Sequence, residues 1–232
     1  MFRSLKENVQ FYPIHHGFEP NLDETGLHAT QRWLMNQVFF DSEADVVLQP
    51  VNLNTPHAFQ SLCLNLVRAW TDPELRRGYI PQTPTTLQGA EHVAKTYWLS
   101  DAQRLVYIYG QYADMLAQGW GGYMTFRLAE QTQVTYGIFD PSEGNKGLTT
   151  KALTLALQAI EYACFTFGLP LSEHATTVSD VNIPSMRVLI KNGYQLSPEV
   201  PASIAPIGLG GQNLEACRAP SLAVNPTQHP GW

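Results

Sequence analysis

Three strand-like segments in a row constrain the fold of this chain more than any other feature. Arg104–Gln111 (RLVYIYGQ) is rich in aromatic and β-branched residues, while Gly121–Leu128 (GGYMTFRL) and Gln133–Phe139 (QVTYGIF) alternate in polarity. The connections between them are short and polar, so the segments read as an antiparallel meander. Helices are expected on both sides. Asn54-Thr55-Pro56 supplies a cap and a first-turn proline for a helix over residues 57–70, where Phe59, Leu62, Cys63, Leu66, Val67 and Trp70 recur at three and four. Thr71–Glu74 opens another turn, and a further helix carries Leu87, Ala90, Val93, Ala94 and Trp98. After the meander, residues 148–167 form a long helix with one apolar stripe through Ala152, Leu153, Ala156, Ile160, Ala163, Cys164 and Phe167, ended by Gly168-Leu169-Pro170. Strands at residues 46–53, 174–179 and 194–196, one more near 214–218, and a short helix at 184–191 complete an α+β fold with a mostly antiparallel sheet.

The termini read differently. Residues 1–44 form an N-terminal extension with one helix, carrying Leu27, Trp33, Leu34, Val38 and Phe39 at near-helical spacing. Residues 45–220 form the main domain, with a turn expected around Gly208, Gly210 and Gly211, and residues 221–232 are a loose tail.

Composition narrows the function. Of 232 residues, 44% are hydrophobic, 15% charged and 11% aromatic, which supports a large core and excludes intrinsic disorder. Lys and Arg number 14 against 20 Asp and Glu, a net charge of −6, so no basic surface is available for nucleic acid. Cys63, Cys164 and Cys217 lie far apart, with no metal-ligand spacing, and read as reduced thiols. The polar start at Met1–Asn8 and the lack of a long apolar window point to a cytoplasmic protein with no membrane partner.

One segment carries chemistry. Asp140–Leu153 (DPSEGNKGLTTKAL) follows a strand, passes through a Gly/Asn/Lys turn and opens a helix. Gly144 and Gly147 allow amides to turn inward, the helix start adds N–H groups and a positive dipole end, and Lys146 adds charge. Such a loop suits a diphosphate. It is neither a P-loop nor a dinucleotide fingerprint, because the required glycine spacings are missing. By itself it is also consistent with an ordinary turn.

Its surroundings add a pattern. Leu48-Gln49-Pro50, Asp72-Pro73-Glu74-Leu75-Arg76-Arg77, Thr86-Leu87-Gln88-Gly89-Ala90, Asn145-Lys146-Gly147-Leu148-Thr149-Thr150-Lys151-Ala152-Leu153 and Asn182-Ile183-Pro184-Ser185-Met186-Arg187-Val188-Leu189-Ile190-Lys191-Asn192-Gly193-Tyr194 follow one another in order. Over roughly residues 45–197 the chain resembles the GNAT acyltransferase superfamily, most closely its ribosomal-protein alanine acetyltransferase (Rim-type) branch. The resemblance implies a GNAT-like mixed sheet, and acetyl-CoA or another acyl-CoA held in a V-shaped opening between two central strands, without a metal. It implies backbone pairing of the pantetheine around Ile138 and Phe139. Diphosphate contacts would come from Gly144, Asn145, Lys146, Gly147, Leu148, Thr149 and Thr150, with Asn182 near the thioester. Ser185 is the implied proton donor to the leaving thiolate, and a helix cap is the other reading of that position.

The chain departs from the family at Gly144, where Arg or Gln is usual, and at Lys151, where Glu is usual. Leu189 replaces the acid tyrosine of other branches, and Thr135 stands at a strand position often held by Glu. His174 is the candidate general base, since its ordinary pKa suits neutral pH; a hydrogen-bonded strand histidine is the competing reading. Glu91, His92, Glu173 and Asp180, or a water chain, are further candidates. Tyr107, Tyr109, Tyr112, Trp120 and Tyr123 are read as core or as the lining of an acceptor pocket.

The implied activity is acyl transfer, acetyl by default, to a primary amine of a peptide, protein or small metabolite. The alternatives are a longer-chain N-acyltransferase of peptide natural-product biosynthesis, a non-catalytic CoA-binding module and a phosphate-handling enzyme that would bind nucleotide. The amine acceptor and, within the same expectation, a second copy in a homodimer are the partners.

Overall fold

The computed structural model describes residues 9–14, 25–75, 84–111, 119–144, 146–198 and 213–220. Asn145, Arg76, Arg77, Tyr112, the expected turn at Gly208, Gly210 and Gly211, and the tail 221–232 lie outside the described residues. Among those described, the strands are β1 (Val9–Pro13), β2 (Gln37–Asp41), β3 (Val46–Pro50), β4 (Arg104–Gly110), β5 (Gly122–Arg127), β6 (Thr132–Ile138), β7 (His174–Ser179), β8 (Gln195–Ser197) and β9 (Asn213–Arg218). They form one sheet in the order β1-β2-β3-β4-β5-β6-β7-β9-β8. The pairing of β6 with β7 is parallel, and every other neighbouring pair is antiparallel. This is the α+β architecture expected from the meander.

Helices cover both faces, and side-chain alternation along the strands decides which residues meet which helix. On one face, α1 (Gly26–Met35) and α4 (Leu148–Thr166) pack over Leu105, Tyr107, Tyr109, Met124, Phe126 and Val134. α5 (Ile183–Lys191) adds Leu189 to the same cluster. On the other face, α2 (Pro56–Thr71) and α3 (Leu87–Val93) pack over Val106, Tyr123 and Phe139. The stripe on α2 forms as its spacing predicts, with Phe59, Leu62, Cys63, Leu66 and Trp70 buried. Beyond α3 the helix widens into a π turn over Ala94–Leu99, which keeps Trp98 buried against Tyr123 at 5.5 Å.

The N-terminal region differs from its sequence reading. The helix stops at Met35, and Val38 and Phe39 belong to β2, with Phe39 fully buried. Asn36 ends the helix: its N–H donates to Trp33 O and its side-chain amide donates to Arg32 O. The β-branched and aromatic residues that follow then find a partner in β3. β1 adds a further strand, so the sheet runs without a break across residues 44 and 45.

Candidate active site

The site begins where two parallel strands separate. β6 and β7 are paired only at Thr132–His174 and Gln133–Ala175. Beyond that point β6 stays on β5 as far as Ile138, and β7 stays on β9 as far as Ser179. An opening therefore widens from Val134 toward the ends of both strands. In an antiparallel pair, alternate residues direct their N–H and C=O toward the partner strand. Phe139 N–H donates to Gly121 O, which puts Gly137, Thr135 and Gln133 in the set bonded to β5. Val134, Tyr136 and Ile138 form the other set and direct their backbone groups toward the opening. Of the two pantetheine-binding residues expected, Ile138 therefore faces the opening. Phe139 turns back to β5, its ring stacked on Tyr123 at 5.7 Å.

Above the opening lies the start of α4. Gly147 is the residue before it, with φ of +74°, a left-handed conformation that a side chain disfavours, and among the described residues no side chain caps the helix. The first bond in the helix is Lys151 N–H to Gly147 O, at 3.1 Å. The amides of Leu148, Thr149 and Thr150 precede it and lie at the positive end of the helix dipole. Gly144 has a different role from the one expected. Its φ is −61°, and its N–H is bonded to Pro141 O at 2.9 Å. It is glycine because a Cβ would stand 2.9 Å from that same carbonyl. Lys146 is exposed.

The turn is held from below and from the side. Tyr109, fully buried on β4, donates to Gly137 O at 3.1 Å and lies 2.8 Å from Thr149 Oγ1. It reaches them by crossing β5 at Gly122, where a Cβ would lie 2.4 Å from the phenol oxygen and 2.3 Å from Gly137 O. Asp140 caps the short 3-10 turn Pro141–Glu143 by accepting from Ser142 N–H at 2.9 Å, and it pairs with Arg68 of α2. The Ser142 hydrogen bond holds the Asp140 carboxyl below the usual carboxylate range, helped by Arg68 and Lys146.

Across the opening stands the start of α5. Asn182 is its cap, accepting from Ser185 N–H at 3.3 Å, so the cap is Asn182 and the Ser185 side chain is available for another role. The Ser185 hydroxyl lies 2.7 Å from the hydroxyl of Tyr136, which comes from β6. Burial pushes the Tyr136 phenol upward, and its bond to Ser185 pulls the other way. Thr135, on the opposite face of β6, is exposed.

His174 lies elsewhere. It is 1% exposed at the closed end of the opening, with Nε2 3.4 Å from Glu161 Oε1. Glu161, on α4, accepts from Arg218 of β9 at 2.6 Å. The structure thus joins β6 to the start of α5 through Tyr136 and Ser185, joins β4 and the β6 carbonyl of Gly137 to the start of α4 through Tyr109 and Thr149, and sets His174 apart beside Glu161 and Arg218. Among the tyrosines considered, Tyr107 donates to Leu34 O at 3.1 Å within the core. Trp120 lines a cavity of about 250 Å³ with Ser61, Asn65, Arg68, Gln111 and Asp140. Sequence reasoning missed Tyr136 and Glu161. The available signal was that a tyrosine on a core-facing strand position needs a polar partner, as does a glutamate inside an apolar helix stripe.

The family profile described as Acetyltransferase (GNAT) domain matches residues 55–195. The chain belongs to the GNAT acetyltransferases. It is accordingly an acyl-CoA-dependent N-acyltransferase, and acyl-CoA is its co-substrate. No curated protein matches it in sequence. Among solved structures it is similar to RimJ of Mycobacterium smegmatis in complex with CoA-disulfide, at 16% identity and a TM-score of 0.53, over 75% of this chain and 81% of that one. It is also similar to the ribosomal-protein-S5-alanine acetyltransferase of Vibrio fischeri, at 10% identity and a TM-score of 0.53, over 76% and 94% of the two chains. A GNAT-family acetyltransferase from Bacillus anthracis gives 15% identity and a TM-score of 0.53 over 75% and 95%. These likenesses show the fold, and they include the Rim-type branch expected from the motifs.

The geometry of the described residues fits an acyl-CoA, with a strand pair that parts beyond Gln133 and Ala175, β6 backbone groups on the side facing away from β5, and a helix that starts after a left-handed glycine. Among the described residues no group of three or more His, Cys, Asp or Glu could hold a metal ion, and no helix is long and apolar enough to cross a membrane.

Proposed function

We propose that this acyltransferase acetylates the primary amine of a peptide, protein or small metabolite, with residues 45–220 as the catalytic domain, 1–44 as an extension and 221–232 as a tail. One observation supports the placement of the chemistry: β6 and β7 are unpaired beyond Gln133 and Ala175, and Tyr109 ties Gly137 on that unpaired stretch of β6 to Thr149 in the first turn of α4. Those amides and Lys146 take the diphosphate, Tyr136 and Ile138 pair their backbone with the pantetheine, and Asn182 lies beside the thioester end. Acyl-CoA supplies the thioester: the amine nitrogen forms the C–N bond, the C–S bond breaks with its electron pair on sulfur, the amine loses one proton to water and the thiolate gains one. Ser185 donates its hydroxyl proton to that sulfur and recovers one from water, so it ends as it began.

Water reaching the exposed Thr135 takes the amine proton, because His174 lies at the closed end against Glu161. The cavity beside Trp120 also carries Ser142 and Leu148, so it adjoins the diphosphate turn and gives room next to it for the part of the acceptor that does not react. Its single described carboxylate, Asp140, is already paired with Arg68, so its lining of Ser61, Asn65 and Gln111 favours amide or hydroxyl groups over polycations.

Titration calorimetry with acetyl-CoA, joined to thiol release over a panel of peptide, polyamine and small-amine acceptors, tests the reading. Asn182→Ala is expected to weaken acetyl-CoA binding. Unchanged affinity removes this placement of the co-substrate, and faster release with longer acyl-CoA removes the acetyl assignment.

A further inference from the structure

A phenol largely withdrawn from water needs a hydrogen-bond partner, and the half-buried Tyr136 finds its partner across the opening rather than on its own strand. Its hydroxyl lies 2.7 Å from Ser185 Oγ and 3.1 Å from Ser185 O. A phenol has one proton to give, and a serine hydroxyl has one proton and two lone pairs. If Tyr136 donates to the carbonyl, Ser185 must donate to the phenol, and its proton is turned away from the opening. If Tyr136 donates to Oγ, which is the shorter contact, the Ser185 proton is left to turn elsewhere. The backbone beneath is already fixed, because Asn182 accepts from Ser185 N–H at 3.3 Å.

We infer that Tyr136 is a positioning residue for the acyl transfer, donating to Ser185 Oγ so that the Ser185 proton is presented to the sulfur in the opening. This rests on the reading of Ser185 given above. A hydroxyl that accepts one strong hydrogen bond is also a better donor of the next, so the tyrosine sharpens the serine as well as orienting it. Burial disfavours the phenolate, so Tyr136 remains a donor at neutral pH and is not itself a source of the transferred proton. No atom of Tyr136 changes its bonding in the reaction, and the bond and proton balance stated above is unaltered. The device also links the two sides of the gap: a β6 side chain holds the first turn of α5 where the two strands no longer touch.

The test compares Tyr136→Phe, Ser185→Ala and the double variant in the full-length enzyme. Tyr136→Phe is expected to lower kcat about three- to tenfold, as loss of one hydrogen bond would, while KM for acetyl-CoA stays within about twofold. Ser185→Ala should lose at least as much, and the double variant no more than Ser185→Ala alone. An independent readout is the ultraviolet titration of the CoA thiol in the binary complex, whose pKa should rise in all three variants, at least as far in Ser185→Ala as in Tyr136→Phe and no further in the double variant. A wild-type kcat and thiol titration in Tyr136→Phe, with Ser185→Ala impaired, overturns the role of Tyr136 and leaves that of Ser185 standing. Additive losses in the double variant do the same. A wild-type Ser185→Ala overturns the Ser185 reading first, and this inference with it.

Discussion

The two ends of the β6–β7 junction are built from opposite materials. At the closed end the strands pair, and the buried Glu161 carboxylate on α4 lies against Arg218 of β9 and His174 of β7. His174 and Arg218 are themselves register partners, so one carboxylate collects side chains from two adjacent strands. At the open end the described residues include no buried ion pair of this kind. Backbone amides, a left-handed glycine and paired hydroxyls line the gap instead. The buried charges lie where the strands are paired, and the open end offers helix-start amides together with the exposed Lys146. The apex needs groups that fix the geometry of three elements; binding a diphosphate needs N–H donors and positive charge within reach of solvent.

The comparison breaks first at Glu161. Glu161→Ala leaves Arg218 without its buried partner and should lower stability by about 3–5 kcal/mol in urea unfolding. The folded fraction should still bind acetyl-CoA with affinity close to wild type. A parallel collapse of affinity would show that the two ends are not separable. Replacing both Glu161 and Arg218 by apolar residues of similar volume should recover most of the stability, because the pair sets geometry more than it adds free energy.

At the open end, Gly122→Ala should have the next largest effect. Its new Cβ collides with the Tyr109 hydroxyl and Gly137 O, and overpacking of this kind costs roughly 1–3 kcal/mol. Because Tyr109 also supports Thr149, acetyl-CoA affinity should fall together with the melting temperature. Stability lost without any change in affinity would remove Tyr109 from the support of the turn.

Gly147→Ala is expected to be milder for the fold, about 1–2 kcal/mol for a side chain held in the left-handed region. Its effect on acetyl-CoA affinity by calorimetry should be proportionately greater, since nothing lies within 4 Å of where the Cβ would be built and the strain falls on the binding turn itself. Equal binding by this variant would place the diphosphate elsewhere.

The smallest effect belongs to Asp140, which is paired at the surface with Arg68. Its carboxyl is held low in the folded protein, first by Ser142 N–H, so its contribution is present above the ordinary carboxylate pKa and is lost as pH falls through the lowered one. Asn is as good a cap as Asp, so Asp140→Asn isolates the charge and should cost less than about 1 kcal/mol at neutral pH. It should also flatten this part of the acid limb of stability against pH. A large loss in this variant would give Asp140 a role beyond the turn.

How far the site could be read from the sequence follows the same division. The amide-lined turn was legible because glycine spacing, a following helix and the Asn182–Gly193 block are local patterns, and local patterns survive in sequence. Within that turn the two glycines looked alike, yet only Gly147 has positive φ, while Gly144 is required by the nearness of Pro141 O. The hydroxyl pair of Tyr136 and Ser185 joins residues 49 apart, and Tyr109 meets Thr149 across 40. Periodicity states which face a side chain occupies, and nothing in it states which hydroxyl on another element will stand opposite. His174 shows the same limit: its chemistry suited a base, and only the structure puts it at the paired end, buried against Glu161.

Val38 and Phe39 mark a second limit. Their spacing continued the stripe of α1, and the choice between helix and strand was made by Asn36 and by a partner strand already waiting in β3. By itself, then, the amino-acid order determined the meander, the two helix stripes that cover it and the glycine turn before α4, since each depends on residues within a few positions of one another. The parting of β6 from β7, the clamp of Glu161 on Arg218 and the serine facing Tyr136 were decided only by tertiary structure. They join groups that are distant in the chain, and whether such groups meet depends on how the whole sheet twists and packs.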